Sequence, residues 1–381
     1  MRSCQCLVES HVGGGAMIGF LFLGVTLVWA KMVSCDEVFF EKKIPVEPSK
    51  KRLRITNVRG DIFIRGWERP YIRLKINKKR LLKEKTLESL GVKIEEPQDA
   101  VEIREWSQVP WDISENPVPG KQSFFKVPAL VPRDSFQVDM RIEAPAWMQL
   151  DVGSKNSVVS IQSWKNTLSL RSNQGSVFVD GLVGGRLDVV CRGCSSTLRN
   201  VQADVSCVGK DADFDLRFVS SSSIFLETQT GKIKLARIEG NQVYSSLRGS
   251  LEGRFLTGKI EYQVDSASVD LRQIRGSLGG KSRDGSVFGQ IAHWGPQSEV
   301  VFLESVGGDI TLELPVFFSS YLDVWSFLGG ARLGFEIATQ SHWTQTFGPE
   351  PINHFKGRVG DGEGLLKVYS ERGKILITKN P

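Results

Sequence analysis

LRSNQGSVFV, residues 170–179, reads as an ordinary β-hairpin, and it recurs. LETQTGKIKL fills 226–235, LESVGGDITL 303–312, VYSERGKILI 368–377 and ITNVRGDIFI 55–64. The shared template is an aliphatic residue, four mostly polar residues, Gly, a small or charged residue, then aliphatic–x–aliphatic. The closing alternation has period two, so Val177 and Val179, or Ile233 and Leu235, fall on one face of a strand. A helix would need apolar residues at i+3 and i+4. The glycines, Gly60, Gly175, Gly231, Gly308 and Gly373, stand where the chain must turn, and a positive φ is expected at each. Each phrase is therefore strand, tight turn, strand.

Weaker copies fill the gaps, as in QLDVGSKNSVVSI (149–161), DVSCVGKDADFDLRF (204–218) and KIEYQVDSASVDLRQI (259–274). Between 150 and 312 successive copies start about 18–20 residues apart, a period in the range of stacked repeats. One copy buries too little to stand alone. Stacked copies cover each other's inward aliphatics, worth roughly 1.5–3 kcal/mol per side chain. The expectation is an all-β chain, a parallel β-solenoid of short strands, with a β-sandwich as the alternative. A single short helix is expected over 80–91 (RLLKEKTLESLG), where Leu81, Leu82 and Leu90 give an apolar side and Gly91 a stop.

The reading divides the chain into an apolar leader over 1–34, a strand-rich segment over 36–133, repeats over 134–318 and further repeats or a cap over 319–381. Five prolines between 107 and 133 mark an insertion or loop. LPVFFSSYLDVWSFLGG (314–330) reads as a capping segment or, alternatively, a partner surface. The run AMIGFLFLGVTLVWA (16–30) is short for a membrane span and suits a signal-peptide core, with Met17 as a candidate start. Two processing readings remain: cleavage after Val28-Trp29-Ala30, or a lipobox Met32-Val33-Ser34 before Cys35, whose thiol would be lipidated and tether the chain to a membrane. Both imply export.

Export leaves Cys191, Cys194 and Cys207. Cys191-Arg-Gly-Cys194 has redox and metal-ligand spacing, but a zinc site needs a second pair and a redox motif belongs at a helix start. These are read as disulfide or core cysteines, and no metal or cofactor is expected. The formal charge of +6 is modest for 381 residues, and no nucleic-acid module is visible. Lys50-Lys51-Arg52 and Lys78-Lys79-Arg80 are either a dock for an anionic envelope surface or a solvated rim. Chemistry on glycans would need paired carboxylates. Asp284, in SRDGS, reads as a turn residue and His293, beside Trp294, as rim packing; the main candidates are Asp211, Asp213 and Asp215 in KDADFDLR. They alternate with apolar residues and read as solvated. GDGEG (360–364) offers too few oxygen ligands for calcium and reads as a turn.

Four motifs in order, ITNVRGDIFIRGW, VDMRIEAPAW, LESVGGDITLELP and VYSERGKILI, resemble the bacterial "putative adhesin" domain family of unknown function, over roughly 50–380. The resemblance implies an exported, β-solenoid-like fold with no established catalytic residues. The function expected is a non-enzymatic envelope protein presenting a binding or scaffolding surface, with envelope glycans or proteins as partner classes and no nucleic acid. The alternatives are a glycan-active enzyme or a protein that assembles end to end.

Overall fold

The computed structural model describes residues 37–80, 90–107, 136–294, 300–337, 340–347, 350–361 and 364–380. The described residues are all-β and contain no helix. The helix expected over 80–91 is a correction: strand runs through Arg80 and resumes at Leu90, and 81–89 lie outside the described residues. Cys35, the leader and most of the proline-rich insertion also lie outside them. All strands join one hydrogen-bonded sheet.

At the N-terminal side lie β1 (Glu37–Pro45), β2 (Arg52–Asn57), β3 (Ile62–Trp67), β4 (Tyr71–Arg80), β5 (Leu90–Glu95), β6 (Ala100–Ser107) and β7 (Phe136–Pro145). The middle is built from β8 (Gln149–Trp164), β9 (Leu168–Lys210), β10 (Asp213–Thr257) and β11 (Ile260–Arg275). Here each unit pairs in parallel with the one eighteen positions on: Leu150 with Leu168, Ser195 with Asp213, Gln242 with Ile260. Then come β12 (Leu278–Ser282), β13 (Val287–His293), β14 (Val300–Ser305), β15 (Ile310–Leu314), β16 (Ser320–Ser326), β17 (Ala331–Leu333), β18 (Gln340–Phe347), β19 (Glu350–Val359), β20 (Gly364–Ser370) and β21 (Ile375–Lys379).

Both ends depart from simple succession. The unit formed by β2 and β3 sits between β8 on one side and β6 and β7 on the other. The unit formed by β20 and β21 is likewise inserted between β14–β15 and β16–β17. Beyond these, pairing turns antiparallel: β5 on β6, β4 on β7 and β1 on β4 at one end, β19 on β16 and β18 on β19 at the other. The segment 314–330 is thus inside the sheet, with Leu314, Phe318, Leu322 and Val324 buried.

In most units the inward positions follow one order. Two apolar residues come first, then a small polar one, then after the turn a Gly or other small residue and two more apolar ones. The phrase at 303–312 shows it: Leu303 and Ser305, then Gly308, then Ile310 and Leu312, with all four side chains buried. The polar residue uses its burial. Ser282, Ser305 and Ser370 each donate to the carbonyl three residues on, of Gly285, Gly308 and Gly373, at 2.7, 2.6 and 2.7 Å. Asn57 does the same to Gly60 and also reaches the Val138 carbonyl of the neighbouring unit. Cys191 and Cys194 occupy this same i, i+3 pair and are joined as a disulfide, while Cys207 is a free, buried thiol.

At all five turn glycines a Cβ would overlap a carbonyl oxygen of a neighbouring unit, and three of the five need a positive φ as well. Gly60, Gly175 and Gly231 have positive φ, as expected. Gly308 and Gly373 do not, which corrects the expectation for them. A Cβ on Gly308 would overlap the carbonyl oxygen of Gly285, and one on Gly373 that of Gly308. The constraint is the closeness of the next unit's backbone.

Outside the turn, aspartates lock neighbouring units together. Asp139 accepts from the Asp61 amide, Asp61 from Val158, Asp213 from Lys232 and Asp309 from Lys374, at 2.8–3.1 Å. Glu105 takes the polar position in the unit beside β2 and accepts from the amides of Val58 and Arg59. Its burial outweighs those two bonds and holds the carboxyl above its usual 4.5.

Two outcomes are expected. Gly308→Ala should cost about 1–3 kcal/mol by urea unfolding, whereas Gly153→Ala, whose Cβ meets only Thr56 at ordinary contact distance, should be close to neutral. Because the fold raises the Glu105 pKa, its contribution is complete below the unfolded value and is lost as pH rises through the folded one. Glu105→Gln should therefore gain stability relative to wild type on going from pH 4 to pH 7.

Candidate functional site

The inward apolar residues Leu198, Leu216, Leu235 and Leu271 are each followed by the corner at which the chain leaves one strand direction for the next. Turning there takes a left-handed residue in seven successive units. The series is Ser163, Gly181, Asn200, Phe218, Arg237, Phe255 and Gln273, with φ of 53–59° at the six side-chain-bearing positions and 76° at Gly181. The pairings of Arg199 with Arg217 and of Arg254 with Arg272 hold the series in line.

Gly181 and Asn200 are the inexpensive choices for this backbone; a bulky side chain costs about 1–2 kcal/mol. Three successive units nevertheless carry Phe218, Arg237 and Phe255. The two rings are exposed, at 50 % and 52 %, and the Arg237 guanidinium lies between them, 5.1 and 6.0 Å from their centroids. Cation–π attraction returns about 0.5–1 kcal/mol at an exposed position, less than the backbone cost of both rings.

The same corner carries one arginine per unit for five units: Arg199, Arg217, Arg237, Arg254 and Arg272. Arg217 and Arg272 each form a two-bond fork on a neighbouring carboxylate, Asp215 and Asp270, at 2.7–3.0 Å. Arg199 lies over the Phe178 ring and Arg272 over Phe288. Arg237 and Arg254 have no hydrogen-bonding or ion-pair partner among the described residues, and both are exposed. At a spacing of about 4.8 Å per strand the five units make an edge roughly 20 Å long, basic along its length and set with aromatic rings.

The other candidates are already engaged. Asp213 and Asp215 point outward, with Phe214 buried between them and Ala212 buried just before, and serve Lys232 and Arg217. Asp211 is exposed at a left-handed turn, and the Asp284 amide bonds the Asp265 carbonyl. His293 is exposed, while its neighbour Trp294 packs edge-on against Phe318. In the two basic clusters, Lys50 donates to the Glu96 and Pro97 carbonyls, Arg52 pairs with Asp151 and Lys79 with Asp139. A shallow cavity of about 340 Å³ around Trp67 is lined by Arg65, Arg69, Arg73 and Glu143, with Arg73 held by Glu41 and Glu143. Among the described residues no group of three His, Cys, Asp or Glu side chains is placed to hold a metal ion. Of GDGEG, residues 362 and 363 lie outside the described residues.

The arginine–phenylalanine edge was missed in the sequence reading, although a signal existed. An arginine directly follows the last inward residue in LR (198–199), LR (216–217), GR (253–254) and LR (271–272). Phe218→Asn with Phe255→Asn should stabilise the fold by about 1 kcal/mol, the backbone relief exceeding the lost ring contacts. Urea midpoints of the double variant and wild type measure it.

No family model matches this chain, and no curated protein matches it. Two solved structures are similar to it at low level. One is described as a "putative cell adhesion protein" from Clostridium sporogenes, with 11 % identity over 90 % of this chain and 100 % of that one and a TM-score of 0.18. The other is a "putative adhesin" from Parabacteroides merdae, with 11 % identity over 72 % and 95 % and a TM-score of 0.33. Likenesses this distant carry no argument about what this chain binds.

Proposed function

We propose that this chain is a non-enzymatic β-solenoid of the bacterial cell envelope, adhesin-like, tethered through Cys35 and presenting its arginine–phenylalanine edge to a partner. The observation that carries the reading is the left-handed corner. Two units fill it with Gly181 and Asn200, and three give up that economy to hold Phe218, Arg237 and Phe255 in solvent. Backbone cost retained at an exposed position is a reason to look for a ligand there.

The parallel pairing at an eighteen-residue offset supports the solenoid reading, since it stacks each inward side chain on its counterpart. Engagement of Asp213 and Asp215 by a backbone amide and an arginine supports the non-enzymatic reading, because a carboxylate pair that hydrolyses glycosides must reach across a sugar. The apolar run at 16–30 followed by Cys35 supports export and a lipid anchor.

Cells expressing the full chain, fed an alkyne palmitate analogue, should label it, and Cys35→Ala should abolish the label. Purified chain lacking residues 1–34 should be retained on isolated envelopes, and the Phe218→Asn, Arg237→Ala, Phe255→Asn triple variant should not. Equal retention of both proteins would defeat the reading of the edge as the binding surface.

A further inference from the structure

We infer that the edge running from Arg199 to Arg272 is a binding site for a linear, sparsely charged acidic polysaccharide, of the uronic-acid class, laid along the stack across successive units. The inference rests on the binding-surface reading above and names its ligand.

The chemistry of the edge selects an anion. Five guanidinium groups fall on five consecutive units, and those of Arg237 and Arg254 are exposed without a hydrogen-bonding or ion-pair partner among the described residues. They sit side by side in the stack, the arrangement in which a planar fork can take a carboxylate through two bonds. On either side of Arg237 the exposed rings of Phe218 and Phe255 offer apolar surface for the C–H faces of a sugar.

The geometry selects a chain that binds through its side groups. An acidic peptide joining a sheet takes its affinity from backbone pairing at an edge strand. Here the backbone groups of β9, β10 and β11 are already consumed by pairing between units, from Ser195–Asp213 through Thr257–Arg275. A polysaccharide has no such need.

Charge density excludes the alternative polyanion. Nucleic acid brings one charge per phosphate and binds where cations dominate. This edge interleaves carboxylates with its arginines: Asp215 beside Arg217, Glu252 beside Arg254 and Asp270 beside Arg272. A polymer with well-spaced carboxylates tolerates the interleaved acids, and a phosphodiester chain does not.

Isothermal titration of the chain lacking residues 1–34 with an oligogalacturonate tests this, with neutral dextran oligosaccharide, oligo-dT and poly-glutamate as comparators. The oligogalacturonate should bind, more weakly as salt is raised. Arg237→Ala with Arg254→Ala should weaken it at least tenfold, with no more than the small fall in melting midpoint that loss of the Arg237 ring contacts gives. Phe218→Asn with Phe255→Asn should weaken it several-fold while raising the midpoint, a combination that loss of folding cannot produce. Tighter binding of oligo-dT or poly-glutamate, equal binding of dextran, or wild-type affinity in the arginine variant would each overturn the inference. Retention on envelopes together with no oligogalacturonate binding overturns the ligand class alone. Loss of that retention overturns the surface reading itself.

Discussion

The structure depends on how closely one unit's backbone can lie against the next at the turn. The carbonyl of Gly285 fills the space a side chain on Gly308 would take, and the carbonyl of Gly308 does the same beneath Gly373. That approach would bury carbonyl groups without partners, an expensive outcome inside a protein. The serine three residues earlier removes the problem by donating to that same carbonyl. Glycine and hydroxyl are thus two halves of one device: the first lets the units close, and the second satisfies what closing buries. In the unit at 187–201 the same two positions are cysteines, and a covalent bond stands where the hydrogen bond would be.

Around that device the rest of the packing is repetitive. Inward aliphatics rest on their counterparts, and aspartates reach across to amides of the adjoining unit. Such a stack has two open ends, and each exposes a row of unpaired backbone groups that invites association. Both ends here finish in antiparallel strands, with β5 against β6 and β18 against β19.

What was legible in the sequence follows from what repeats. The five phrases, their alternation and the turn glycines were all readable, because each copy obeys the same local sterics. The polar residue three positions before each glycine, Asn57, Ser172, Thr228, Ser305 or Ser370, was present in every phrase and passed over. Polar residues near a turn usually face water, and only the stack turns these ones inward. The helix expected over 80–91 followed from leucine spacing alone, whereas Arg80 and Leu90 belong to strands because β4 and β5 find partners in β7 and β6. The inserted terminal units had no local signal at all. ITNVRGDIFI and VYSERGKILI read like any other copy, and nothing in either says that its neighbours lie far away in the chain. The edge of arginines and exposed rings was half legible: its spacing is in the sequence, but its left-handed backbone is not.

The placement of the last unit bears on the order in which the molecule can be made. Strand β16 takes its parallel neighbour from β20, not from β14, although β14 is synthesised just before it. Until β20 and β21 emerge, β14 and β15 have no partner on their far side, and β16 has nothing to join on its parallel side. The far end can close only once β20 and β21 have emerged. A chain built in this way holds its far end open until strands that come late in the sequence are in place, so folding there cannot simply follow the order of synthesis.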